Sequence, residues 1–195
     1  MLISIDMKHR VNTHQNSSEP NFIKLLQNHE ASRQILAFIF IALMSLAANA
    51  NPLFINLALI LIVFGVIFRL IASGVIVKNK ELCTIGIYSL VRHPLYTGNL
   101  LILIGFSFLA NMIAWYVLLT AFIFFYYPPA IKYEDEKLKN IFNDQWKEWA
   151  QNTPALIPKR LALDLFSNWS LRNSVKLNGE PIILLYVFIW AYVAT

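Results

Sequence analysis

The chain has 195 residues, 57% hydrophobic and 14% charged, with a mean hydropathy of +0.54. Soluble domains carry about 25% charged residues, so the composition points to a bundle of membrane helices. A net charge of +5 with no basic cluster among aromatics argues against nucleic-acid binding, and one cysteine, Cys83, excludes an intramolecular disulfide or a cysteine-rich metal site.

The first 34 residues are polar to amphipathic and lack the short apolar core and small-residue cleavage site of a signal peptide. The first apolar run, Ile35 to Ala50, therefore reads as a retained helix, with an amphipathic lead-in from near Phe22. Asn49-Ala50-Asn51-Pro52 supplies turn residues. Leu53 to Val77 follows as a second span, with Arg69 its only charge. Leu100 to Ala110 and Met112 to Tyr127 flank Asn111, and a tight helical hairpin starting near Pro94 fits the bilayer. Pro128-Pro129 is expected to end regular helix, because neither residue offers an N–H donor. Glu134 to Asp144 then reads as a separate amphipathic helix, with Trp146 and Trp149 suited to an interface. Ile182 to Ala194 is a last, short apolar run.

The expected architecture is an all-α integral membrane protein of about five transmembrane helices. Its parts are a polar segment (1–34), two spans (35–77), a core (78–160) and a carboxy-terminal segment (161–195). Lysines and arginines crowd the segments before the first span, between the second and third, and after the fourth, while the turns at Asn51 and Asn111 carry none. This asymmetry predicts a cytoplasmic amino terminus, with both polar segments at that face of a multi-pass protein, most simply in a bacterial inner membrane.

Two polar segments hold the chemistry. In the first, Arg92-His93 precedes Pro94, which is suited to open a helix whose positive end favours a carboxylate or phosphate. Interfacial anchoring to lipid phosphate is the plainer reading. In the second, Lys132-Tyr133-Glu134-Asp135-Glu136 places three acids at the membrane surface. A carboxylate there can accept ribose hydroxyls or meet a cationic ligand, and a solvated helix start is the alternative. Arg69, about two turns inside its span, is either functional or snorkelling. The histidines form no metal-like spacing. No G-x-G-x-x-G, P-loop or G-x-S-x-G motif is present, so a nucleotide-like cofactor needs another construction.

These segments resemble the isoprenylcysteine carboxyl methyltransferase family over about residues 80–160. The resemblance rests on Thr84-Ile85-Gly86-Ile87-Tyr88, Arg92-His93-Pro94-Leu95-Tyr96-Thr97-Gly98, Glu134-Asp135 with Leu138, Phe142 and Trp146, and Thr153-Pro154-Ala155-Leu156-Ile157-Pro158. It implies an S-adenosylmethionine-dependent methyltransferase acting on a membrane lipid or isoprenyl-lipidated acceptor that bears a carboxylate, phosphate or amine. Leu82, Cys83, Tyr88, His93, Pro94, Leu95, Tyr96 and Glu134 would hold the cofactor. The chain departs from the family at Ala130, where members often carry a substrate-handling arginine. Arg92, Lys132 and Arg69 are the cations left for the catalytic part. Asn143 stands for the family glycine, Trp146 for a tyrosine and Asp135 for a second glutamate. A nicotinamide-dependent reductase of isoprenoid double bonds and a non-catalytic membrane protein are the alternatives.

Overall fold

The computed structural model describes residues 30–76, 81–159 and 164–195, all helix, turn or irregular chain without strands. Five α-helices follow in order: α1 (Glu30–Leu46), α2 (Pro52–Val75), α3 (Pro94–Ala110), α4 (Ile113–Asn152) and α5 (Glu180–Ala194). A 3₁₀ turn (Gly86–Ser89) precedes α3, and a π turn (Asn173–Leu177) precedes α5. The expected lead-in from Phe22 lies outside the described residues.

α2 and α4 are each long and apolar enough to cross a membrane, while α1, α3 and α5 are shorter apolar helices. At 1.5 Å per residue, the 24 residues of α2 reach about 36 Å. The outward faces keep large apolar side chains uncovered, among them Leu53, Ile113, Phe125, Ile182 and Tyr192. Water would penalise such a surface, whereas lipid hydrocarbon would not.

The expected hairpin is present. Asn111 adopts the left-handed φ of 46° as C-cap of α3, and α4 starts two residues later. An amide at that position tolerates this conformation better than most side chains. Asn111 Nδ2 also donates to the Asn49 carbonyl at 3.4 Å, so the two turns without lysine or arginine lie at one end of the bundle.

The structure corrects the expectation at Pro128-Pro129. α4 continues as helix through both prolines, and it is interrupted only at Asn143 (φ 47°, ψ −113°), where two helical stretches meet at a kink. Proline removes a donor and crowds the preceding turn, but here it does not rotate the helix. Phe122, Tyr126, Ala130, Glu134 and Leu138, spaced by four residues, all line one cavity on either side of the pair. The amphipathic helix expected as a separate element is the outer half of α4. Asn143, standing for the family glycine, bends the last turns in a region of positive φ where a side chain is strained.

α2 and α3 approach closely through glycines. A Cβ on Gly65 would lie 2.6 Å from the Gly98 carbonyl oxygen, and one on Gly105 would lie 2.8 Å from that of Ala58. Small residues that let backbones touch are the usual means of helix association where lipid removes the hydrophobic drive. A buried cluster of Ile62, Val66, Ile102 and Phe106 fills the rest of this seam.

The segment after residue 164 folds back onto the end of α2. Trp169 Nε1 donates to Leu70 O at 3.0 Å, Ser170 N to Gly74 O at 2.9 Å, and Asn178 Nδ2 to Ser73 O at 2.8 Å. The bonds to Ser73 and Gly74 satisfy carbonyls that a helix terminus leaves unpaired. Gly74 makes room, since a Cβ there would overlap the Trp169 indole.

Replacing Gly105 with valine should lower stability by about 1–3 kcal/mol through overpacking against the Ala58 backbone. Thermal denaturation of the purified protein in detergent measures this, and an unchanged midpoint would mean that α2 and α3 separate freely.

Candidate functional site

The 3₁₀ turn begins at Gly86, whose φ of +59° suits a residue without Cβ, and it buries Ile87 and Tyr88. The chain then reaches Arg92 and His93, with Pro94 at the first position of α3. This turn is pinned to the segment after α4. Arg92 N donates to Pro154 O at 2.8 Å, His93 N to Ala155 O at 3.0 Å, and the Thr97 hydroxyl to Leu156 O at 2.8 Å. The backbone donors expected to hold an external anion are thus largely used within the chain.

The anion at the start of α3 is Asp135. Its Oδ2 accepts from Arg92 Nη2 at 2.9 Å and its Oδ1 from Nε at 3.3 Å, and His93 Nε2 lies 3.0 Å from the same Oδ1. The other arm of the same guanidinium, Nη1, donates to the carbonyls of Thr153 (2.7 Å) and Ala150 (3.2 Å) at the end of α4. Trp149 Nε1 adds a bond to Tyr88 O at 3.3 Å. One arginine fork therefore joins the turn, the outer half of α4 and the 153–158 segment, a use that lysine could not reproduce.

A cavity of ≈ 190 Å³ lies between these elements and the bundle. Leu82, Cys83, Tyr88, Arg92, His93, Pro94, Leu95, Tyr96, Glu134 and Arg69, all expected site residues, line it. Lys132 does not. It faces a separate groove with Phe124, Pro128, Glu136 and Trp146, because two residues of helix turn it about 200° from Glu134. The expectation that Lys132 joins the other cations is corrected accordingly.

Glu134 and Asp135 have different surroundings. Asp135 is held in the clip, whereas the Glu134 side chain is 40% exposed. The His93 Nδ1 nitrogen lies 3.8 Å from it, beyond hydrogen-bond distance. Its carboxylate oxygens can therefore accept from a ligand. Tyr96, Tyr126, Tyr127 and Trp149 add an aromatic lining, with Tyr96 packed edge-on against Tyr127 at 5.8 Å. Burial pushes the Cys83 thiol up to about 11, and the nearby Glu81 carboxylate acts in the same direction against a backbone hydrogen bond from Ile85. Burial likewise raises the Tyr88 phenol, so it stays protonated at neutral pH.

Several lining residues escaped the sequence reading. Asn99 sits one turn into α3, and Glu180 opens α5 with only 1% exposure. Arg69 Nη2 and Nε bind the Glu180 carboxylate at 2.6 and 3.2 Å, and Nη1 donates to Asn99 Oδ1 at 2.6 Å. Arg69 is therefore paired inside the protein and does not snorkel. An acid heading the last apolar run was the available signal for Glu180. Among the described residues, no group of three or more His, Cys, Asp or Glu could hold a metal ion.

The described residues thus form an all-helical bundle with apolar outer faces and a polar, aromatic cavity at one end. Residues 53–145 match the model of the phospholipid methyltransferase family. The chain is 36% identical over 97 residues to the cobalt-zinc-cadmium resistance protein CzcN of Cupriavidus metallidurans, covering 50% of this chain and 44% of that one. It is 34% identical over 93 residues to the nickel-cobalt-cadmium resistance protein NccN of Alcaligenes xylosoxydans xylosoxydans (48% and 42%). It is 30% identical over 116 residues to protein-S-isoprenylcysteine O-methyltransferase B of Arabidopsis thaliana (53% and 58%). The matched region thus spans about half the length of these relatives. No solved structure matches the chain.

Two measurements test this geometry. Asp135→Asn removes the charge from the clip and should cost about 1.5–3 kcal/mol of stability, read as a lower melting midpoint at neutral pH. Cys83 should alkylate slowly: at pH 8, three units below its titration, about one thiol in a thousand is ionised. Its rate should rise about tenfold per pH unit up to about pH 11, and fast labelling at pH 7 would contradict the half-buried placement.

Proposed function

We propose that this chain is an S-adenosylmethionine-dependent methyltransferase whose acceptor is a membrane lipid or lipidated molecule. The observation that carries the reading is the meeting of two segments, 42 residues apart at His93 and Asp135, over one cavity. The family match and the isoprenylcysteine methyltransferase relative support it from sequence.

The donor set suits this cofactor. Glu134 offers unspent carboxylate oxygens to ribose hydroxyls, and Lys137 brings a cation to the cavity rim for a carboxylate. Tyr96, Tyr126 and Tyr127 supply ring faces for a purine or a cationic sulfur. His93, Pro94 and Leu95 would form the wall at the start of α3, and Leu82, Cys83 and Tyr88 the opposite one. When bound, S-adenosylmethionine supplies an electrophilic methyl group on a sulfonium.

The work left to the protein is orientation. The Arg92–Asp135–His93 clip holds both walls at fixed separation, and alignment of this kind is worth about 7–11 kcal/mol in favourable cases. Arg92 serves that task, since its donors are committed to Asp135 and to the end of α4. Phe122, Tyr126 and Tyr127 continue the cavity wall into the apolar half of α4, which provides a lateral approach for a lipid-borne acceptor. We place all five helices across the membrane, with the cavity end and the amino terminus at the cytoplasmic face, on the distribution of lysine and arginine.

Incubation of purified protein with methyl-labelled S-adenosylmethionine and total membrane lipid should transfer label to a lipid. S-adenosylhomocysteine should protect Cys83 from alkylation, and Glu134→Gln should weaken that protection at least tenfold, about 1.4 kcal/mol. Protection by NADPH with none by S-adenosylhomocysteine would replace this reading with that of a reductase. No transfer to any lipid fraction would support a non-catalytic protein.

A further inference from the structure

Arg69 lies six residues before the end of α2, about 9 Å inside it. Glu180 meets it there, as the first residue of a helix that carries no other charge. Their side chains are only 6% and 2% exposed. Burying such a pair gains little stability, because desolvation offsets the attraction and an apolar pair often does as well. At membrane depth an ionisable pair that borders a cavity marks a functional position.

The geometry defines what the cluster can offer. Both carboxylate oxygens of Glu180 are turned to the guanidinium, and Asn99 Oδ1 takes the third bond. A guanidinium has five N–H groups, so one on Nη1 and one on Nη2 remain beyond these bonds. The cluster presents donors to the cavity, with its acceptor oxygens already engaged. It is therefore matched to an anionic oxygen group and not to an ammonium.

Resting on the methyltransferase reading above, we infer that Arg69 receives the anionic oxygen group, carboxylate or phosphate, of the lipid-borne acceptor. In this arrangement Glu180, delivered by the last helix, is the positioning residue that fixes the guanidinium plane. The cofactor side of the cavity, at Glu134 and His93, is built from other elements. Loss at Arg69 or Glu180 should thus weaken the acceptor and spare the cofactor. The arrangement also gives α5 a place in the site, although α5 lies beyond the matched segment.

The test uses detergent-purified full chain and three single-chain amphiphiles with different heads: oleate for carboxylate, oleoyl phosphate for phosphate, and oleylamine for ammonium. Binding is read by titration, alongside S-adenosylhomocysteine protection of Cys83. Oleate or oleoyl phosphate should bind wild type at least tenfold more tightly than oleylamine, and the stronger of the two names the head group. Glu180→Gln and Arg69→Lys should each weaken that anion at least fivefold while changing S-adenosylhomocysteine protection less than twofold. The double variant Arg69→Met with Glu180→Leu, which leaves no unpaired charge, should fold, protect Cys83 normally and lose the anion preference. Preference for oleylamine, unchanged anion binding in the double variant, or equal loss of both ligands in the single variants would each overturn the assignment. Absence of S-adenosylhomocysteine protection in wild type, with the anion preference intact, would instead remove the methyltransferase reading alone.

Discussion

The Asp135 carboxylate, held between the Arg92 fork and the His93 ring, is the interaction on which the cavity depends. It joins residues from the start of α3 and the outer half of α4. Charge-assisted hydrogen bonds of this kind are each worth about 1.5–3 kcal/mol, and here they are largely shielded from water. The same arginine satisfies carbonyls at the end of α4. Helix termination and site assembly are therefore one event. With Asp135 committed, its neighbour Glu134 stays available, and two adjacent acids acquire separate tasks through the 100° turn between successive helical residues.

A continuous α4 makes that arrangement rigid. Had the helix stopped at Pro128-Pro129, the acidic segment would hang from a joint, and its register against the Arg-His-Pro turn would be loose. Instead the stripe from Phe122 through Ala130 to Leu138 keeps one face toward the cavity from the apolar half into the polar half. The bend is displaced to Asn143, past Glu134 and Leu138, where the chain turns back to bring Trp149 under Tyr88 and residues 154–156 against α3.

Helix association inside the apolar zone follows different physics from that at the polar end. α2 and α3 meet backbone to backbone at Gly65, Gly98 and Gly105, the close packing that small residues allow between helices. α5 buries Val187, Ala191 and Ala194 in the core and adds two polar bonds, the Tyr186 hydroxyl to Phe38 O at 2.7 Å and Glu180 to Arg69. It begins level with Arg69, below the end of α2, which explains how fifteen residues suffice for a helix that sits beside longer ones.

The sequence by itself determined the helical class, the apolar segments, the Asn111 hairpin and the two polar segments at the same end. Each of these is a local matter: hydropathy over a window, turn chemistry at one asparagine, the charge of successive loops. It also pointed to the cavity residues of the first polar segment, from Leu82 to Tyr96, and to Glu134, whereas Asn99, Phe122, Tyr126 and Tyr127 escaped it. Only the tertiary structure decided how those residues divide the work. That Asp135 clips while Glu134 faces the cavity, that Lys132 turns away, and that Asn99 and Glu180 gather around Arg69 depend on the rotation of each helix about its axis and on pairings up to 111 residues apart. Helical phase across Pro128-Pro129 is set by packing against the rest of the bundle, and neither proline carries that information in its own chemistry.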